Sequence, residues 1–456
     1  MWQVTLMKRK LYSKLLEWKK YSKGASALLV QGARRVGKSY LIEDFAKNEY
    51  KSYILIDFNR AGDTVKNLFL QDLDDMDTFF LKLSTLFNTK LYPRESLIVF
   101  DEVQLFPRAR SAIKYLVADG RYDYIESGSL MSIKENVKDI LIPSEEDTVN
   151  MYPMDFEEFL WAIGNETMMP FIQTCYKKRE PMGQALHRKA MDLFRQYMIV
   201  GGMPQAVEAY VKSKDFNEVD RIKRRILKLY RDDIIKHANK NALKVEAIYD
   251  EIPSQLKNQN RHFKLSELEK GARFAEYEEP LFWLSDAMIV NNCYNSTEPT
   301  LGLSLNKDRT LLKCYMGDTG LLVSHTFNKK EIVDEEIYRK LLLDKLQVNL
   351  GMVMENMVAQ MLVASGHKLY FYANSSRDDA SARMEIDFLI AKSKISNGHN
   401  IIPIEVKSGK NYTLTSLKKF KTRYAAHVHT PVVLSPSDLK EEDGILFLPL
   451  YMAPLL

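Results

Sequence analysis

Cysteine is scarce in this chain of 456 residues: only Cys175, Cys293 and Cys314 occur, far apart and never as a CxxC pair. That excludes a disulfide-stapled fold and a thiolate zinc site, and it fits a reducing, cytoplasmic setting. Long apolar runs are also missing. No stretch approaches the roughly 18 residues of a membrane span, so no transmembrane helix and no membrane partner are expected. The first residues are basic but have neither an apolar h-region nor a small-residue cleavage site, so no secretory signal is expected. Heptads and internal repeats are absent, which leaves the mode of any assembly open. A strong charge of one sign is lacking as well. The 65 Lys and Arg against 60 Asp and Glu leave +5, which permits a nucleic-acid partner without arguing for one. What remains is an ordinary globular composition, 46% hydrophobic and 27% charged. The length suits two or three domains of about 100–200 residues.

Residues 27–30, Ala-Leu-Leu-Val, form an apolar run suited to a buried parallel strand. Gly32-Ala33-Arg34-Arg35-Val36-Gly37-Lys38-Ser39 follows at once, and Tyr40 opens a helical stretch. This is G-x-x-x-x-G-K-[ST] in its required context of strand, loop and helix. Glycines let backbone N–H groups wrap phosphates, and the helix N-terminus attracts the anion. Lys38 is expected on the β- and γ-phosphates and Ser39 on Mg²⁺. Residues 96–100, Ser-Leu-Ile-Val-Phe, form a second buried strand that ends in Asp101-Glu102. Acids at the carboxyl end of a parallel strand sit where open α/β sheets bind ligands. Asp101 is expected to hold Mg²⁺ and Glu102 to polarise the attacking water. A third strand, 122–126, runs into Ser127, placed to sense the γ-phosphate. Asp57, at the end of a strand over 53–57, either joins the site or caps a turn.

These residues resemble those of bacterial and archaeal AAA-type ATPases that carry a C-terminal domain of uncharacterised function. That group's P-loop reads G-P-R-R-V-G-K-T, where this chain has GARRVGKS. Its D-E-I-Q motif corresponds to Asp101-Glu102-Val103-Gln104, and its T-G-S-S to Ser127-Gly128-Ser129, with serine replacing threonine. Further along, Tyr152 to Phe159, Gly201-Gly202-Met203-Pro204 and Tyr315 to Leu322 resemble its later motifs. The resemblance implies ATP as the nucleotide, with Mg²⁺. It implies an α/β chain: an N-terminal AAA-type P-loop ATPase with a parallel sheet over 1–150, a helical lid over 151–240, a winged-helix-like module over 241–335, and a C-terminal α/β restriction-endonuclease-like domain over 336–456.

In the middle, the basic stretch from Arg221 to Arg231 reads as a solvated helix face, with a nucleic-acid or trans-acting arginine role as the other reading. Residues 263–270 read as a short helix capped by Ser266, residues 275–287 as a second helix and 288–294 as a strand. Glu276, Glu278 and Glu279 argue against phosphate contact by that second helix.

The C-terminal segment carries a second constellation. Glu355 lies in a helical stretch, Asp387 opens one strand, and Glu405-Val406-Lys407 ends the next. This resembles the PD-(D/E)xK nuclease signature, with Ile386 where proline is common. Strand alternation places Glu405 and Lys407 on one face. Asp387 and Glu405 are then candidates to hold Mg²⁺ or Mn²⁺, with Lys407 steadying charge at a scissile phosphate. The alternative is a relic in which the same groups form a buried ion network. Lys410, Lys418, Lys419, Lys421 and Arg423, with Tyr412 and Tyr424, either track a nucleic-acid backbone or form a solvated helix face. The functional expectation is ATP hydrolysis coupled to DNA binding or cleavage. The alternative is a regulatory ATPase whose inert nuclease-like domain acts on a protein partner or a further copy of the chain.

Overall fold

The computed structural model describes residues 7–129, 143–258, 262–300, 302–326, 350–374, 379, 382–396, 399–409 and 411–456. They form two compact units. The first holds residues up to Tyr152, with 286–288. The second holds 153–285 and 289 onward. Among the described residues no helix is long and apolar enough to cross a membrane.

The first unit is an α/β layer built on α1 (Leu11–Ser22), β1 (Ala27–Gln31), α2 (Lys38–Glu49), β2 (Ser52–Asp57), α3 (Asp63–Gln71), α4 (Met76–Leu86), β3 (Ser96–Asp101), α5 (Pro107–Asp119), β4 (Asp123–Gly128) and β5 (Glu146–Asn150). The five strands run in the order β2-β3-β4-β1-β5, and every pair is parallel. A parallel sheet is covered on both faces, which explains why β1 and β3 read as almost continuous apolar runs; β4 is equally buried although it carries Asp123, Glu126 and Ser127. Phe58, Phe69, Phe79 and Phe100 interlock edge to face at 5.3–5.9 Å between α3, α4 and the sheet. The register sets Asp57 of β2 beside Asp101 of β3, so the carboxyl edge of the sheet is acidic.

The second unit begins with helices: α6 (Phe156–Ala162), α7 (Met168–Lys178), α8 (Gln184–Val200), α9 (Pro204–Ser213), α10 (Phe216–His237), α11 (Ala242–Lys257) and α12 (Phe274–Asp286). Asp155 and Glu158 close a capping box at the start of α6. An eight-stranded mixed sheet follows. Its strands are β6 (Val290–Ser296), β7 (Lys307–Met316), β8 (Tyr370–Asn374), β9 (Met384–Ser396), β10 (His399–Val406), β11 (Val432–Ser435), β12 (Lys440–Glu442) and β13 (Ile445–Pro449). Their order is β12-β13-β11-β10-β9-β8-β6-β7. Helices α13 (Thr319–Thr326), α14 (Leu350–Ala364) and α15 (Thr415–Arg423) complete the unit. The boundary expected at 335/336 lies outside the described residues, and the sheet spans both sides of it: β6 pairs with β8.

Three local expectations change. Residues 263–270 give only a 3₁₀ turn at Leu265–Glu267, and Ser266 caps nothing. The Gln255 amide explains this, because it accepts from the Lys264 N–H at 2.9 Å and donates to the Lys264 carbonyl at 3.2 Å. The strand expected from Met288 starts at Val290, since Met288 takes φ +55° in the turn after α12. The basic stretch 221–231 is not wholly solvated: Lys223 is buried and donates to the Ile199 carbonyl at 2.7 Å. Burial pushes its ammonium down to about 8.

Two of the motifs meet in this unit. Asp318 accepts from the Gly202 N–H at 2.6 Å and from the Leu321 N–H at 2.8 Å. Helix α14, although almost entirely buried, carries Asn356 and Gln360, and both are satisfied. Asn356 brackets the backbone of Met316, and Gln360 accepts from Thr319 and donates to Tyr197. Replacing Phe69 by alanine should cost the first unit about 3–5 kcal/mol in denaturant unfolding, because it removes the ring shared by its aromatic neighbours.

Candidate functional site

In the first unit, β1 delivers the chain to Gly32, whose position tolerates no side chain: a Cβ there would lie 2.4 Å from the Met151 carbonyl. Arg35 and Gly37 take φ +71° and +98°, which turns the loop inward ahead of α2. Arg9 braces it from outside, donating to the Val36 carbonyl at 2.8 Å and the Tyr152 carbonyl at 2.6 Å. Lys38 is buried and donates to the Gly32 and Ala33 carbonyls at 2.9 and 3.1 Å. Burial lowers its pKa, opposed by Glu102 and Asp101. Arg34, Arg35, Ser39 and Tyr40 lie at the surface of the loop.

Asp101, at the end of β3, is the centre of this arrangement. One carboxylate oxygen accepts from the Ser39 hydroxyl at 3.1 Å and from the Ser127 hydroxyl. Residues from α2, β3 and β4 therefore converge on one atom, and Lys38, Ser39, Asp101 and Ser127 come together as expected from their spacing. Glu102 follows at φ +53°, an uncommon conformation for a residue with a side chain. Its carboxylate accepts from the Gln104 amide. Asp57 caps its own turn, accepting from the Asn59 N–H at 2.9 Å.

The second cluster lies in the other unit. Asp387 of β9 accepts from the Val406 N–H at 2.8 Å, and Lys407 pairs with Glu405 at 2.5 Å. With Glu385, these groups line a cleft of about 180 Å³. Burial raises the Glu405 carboxyl against the pull of Lys407. Glu355 reaches the cluster through a residue that the sequence left unassigned, Lys313 of β7. The Lys313 ammonium lies 2.9 Å from Glu385, 3.5 Å from Glu355 and 3.8 Å from Asp387. It is 1% exposed and Glu355 is 0% exposed. Glu355 also accepts from the Tyr315 hydroxyl. The one visible signal for Lys313 was a lysine between Leu312 and Cys314 in the apolar second half of β7. Arg9 was likewise missed, and nothing local marks it, whereas Gln104 stood in the Asp101-Glu102-Val103-Gln104 motif without an assigned role.

The two centres differ in how they suit a divalent ion. Ser39 and Asp101 offer hard oxygen donors in direct contact, which fits Mg²⁺ completed by phosphate oxygens. In the second cluster an ammonium already sits among the carboxylates. A divalent ion about 4 Å from it would meet about 8 kcal/mol of repulsion at an effective dielectric near 20. Among the described residues no three His, Cys, Asp or Glu side chains converge as metal ligands. The basic residues of α15 are engaged as well: Lys421 donates to the Asp443 and Gly444 carbonyls at 3.0 and 3.3 Å. Lys410 lies outside the described residues.

Burial would raise the Glu385 carboxyl, but His262 and Lys313 outweigh it and hold it down to about 2. A depressed carboxylate contributes stability above its unfolded value, near 4.3, and loses it as pH falls towards 2. The gap in melting temperature between wild type and Glu385→Gln should therefore be widest above about pH 4.5 and close towards about pH 2.

Residues 25–160 match the family model described as AAA domain, so the chain carries an AAA-type P-loop domain. Residues 350–452 match a domain of unknown function, DUF4143, and residues 191–331 match another, DUF8612. No curated protein matches the sequence. Among solved structures, the Thermotoga maritima RuvB Holliday junction branch migration motor is similar at 12% identity, over 64% of this chain and 90% of that one, with a TM-score of 0.30. C. elegans PCH-2 is similar at 12% identity over 47% of this chain and 66% of that one, with a TM-score of 0.27.

Proposed function

We propose that this protein binds ATP with Mg²⁺ along Gly32 to Tyr40 and hydrolyses it. The observation that carries this reading is the single Asp101 oxygen shared by Ser39 and Ser127, one residue before Glu102. Backbone N–H groups of the loop and the start of α2 receive the phosphates. Lys38 exchanges its two loop carbonyls for β- and γ-phosphate oxygens. Ser39 and Asp101 would hold Mg²⁺, and the ion would supply positive charge to offset the negative charge developing on the phosphates. Glu102 takes a proton from water as the water oxygen bonds to the γ-phosphorus. The bond from that phosphorus to the β–γ bridging oxygen breaks, giving ADP and phosphate. Ser127 reports on the γ-phosphate by its bond to Asp101.

Nucleotide state then sets the behaviour of the second unit. One output is DNA binding or cleavage at Asp387, Glu405 and Lys407, a reading supported by their meeting in one cleft. The other is a switch acting on a protein partner or a further copy of the chain. The ammonium of Lys313 among the carboxylates favours this second output, because it leaves the cleft poorly suited to metal-assisted hydrolysis.

Glu102→Gln should lower ATP turnover by about 10²–10⁴-fold, the usual contribution of a positioned general base, while nucleotide affinity holds. Turnover that survives this change would remove Glu102 from the role. The output is tested by incubating linear and circular DNA with the protein and Mg²⁺ or Mn²⁺, with and without ATP, beside Lys407→Ala. Cleavage that disappears in the variant would establish an ATP-coupled nuclease. Intact ATP turnover without cleavage would establish the switch.

A further inference from the structure

We propose that Lys313 is the resident cation of the C-terminal cleft: its ammonium holds the position between Glu355, Glu385 and Asp387 that a divalent ion would otherwise take, so the cleft assembles without metal. The inference is independent of the ATPase reading, since it concerns only side chains of the second unit.

Three observations support it. First, Lys313 is 1% exposed at the base of the cleft, so its charge is answered by its neighbours, which are carboxylates at 2.9, 3.5 and 3.8 Å. Second, the neighbours complete an ion network. His262 approaches Glu385 at 3.5 Å, Tyr315 donates to Glu355, the Val406 N–H donates to Asp387, and Lys407 pairs with Glu405. Third, the ring of Phe371 lies 5.0 Å from the Lys313 ammonium and faces that charge with its π-electrons. An ammonium held on several sides cannot swing away to admit a metal without leaving a buried charge unpaired. Lys313 belongs to β7, whereas the carboxylates belong to α14 and β9, so the ion pairs also fasten the segment before residue 327 to the segment after 349.

The proposal predicts a gain of function. Removing the ammonium leaves Glu355, Glu385 and Asp387 without the cation that bridges them, with His262 beside Glu385 and Lys407 beside Glu405, and their hard oxygens would then draw in Mn²⁺. The test uses the full chain, nucleotide-free, with Asp101→Asn to silence the P-loop donors, and follows Mn²⁺ binding by electron paramagnetic resonance. This parent is expected to bind no Mn²⁺ that depends on Asp387. Adding Lys313→Met should create one Mn²⁺ site at least tenfold tighter than anything in the parent. Adding Asp387→Asn on top should abolish it, while Lys313→Arg should bind no more than the parent. A Lys313→Met chain that folds only with Mn²⁺ present would support the same conclusion. The proposal is overturned if the parent itself binds one Mn²⁺ that Asp387→Asn removes, or if folded Lys313→Met gains none. The parent measurement needs no Lys313 variant, so a variant that fails to fold leaves the question decidable.

Discussion

A charge carried into a protein interior has to be met by opposite charge or hydrogen bonds where it sits. Lys313 imposes that constraint on the second unit. Its strand brings the ammonium to a buried position, and helix α14 and strand β9 bring carboxylates to it. Once those pairs are formed, the orientation of Glu355 on α14 is fixed. Asn356, one residue further on, then lies against the backbone of Met316, and Gln360, a turn later, against Thr319. A helix that is apolar in nearly every other position is thereby registered against β7 and α13 by polar contacts. Apolar packing alone is less directional and would tolerate rotation or slippage of such a helix.

The phosphate centre solves the same problem differently. Lys38 is also buried, but its partners are two carbonyls of its own loop. Neutral carbonyls bind an ammonium less strongly than carboxylates do, so Lys38 is held less firmly by its surroundings than Lys313 is by Glu355, Glu385 and Asp387. Glu102 adds a further feature, since its left-handed backbone aims the carboxylate off the line of β3 and into reach of Gln104.

Much of the first unit was legible in the sequence because its signals are local. The phosphate loop, the strand before it and the acidic end of β3 each sit within a few residues, and the central strands β1 and β3 are apolar runs. Asp101, Ser39 and Ser127 could be named from position alone, although the single shared oxygen could not. The second unit was legible only in part. Asp387, Glu405 and Lys407 were found by their resemblance to the PD-(D/E)xK signature, with strand alternation putting Glu405 and Lys407 on one face, and Glu355 as the helical acid of the same resemblance. Lys313 and the role of Glu385 were hidden, because their significance arises from strands that meet only after the chain has crossed 327–349. The short helix expected near 263 failed for a related reason: a side chain from α11, Gln255, competes for the backbone there, and local propensity carries no information about it.

The single sheet that runs from β12 to β7 has a consequence for how this protein can be divided. A fragment starting near residue 350 would keep Glu355, Glu385, Asp387 and Glu405 and lose the lysine that pairs with the first three, while baring the edge of β8 that β6 covers. A fragment ending near 326 would keep the lysine with no acids to receive it. Any division of the chain between 327 and 349 therefore parts a buried charge from the groups that answer it.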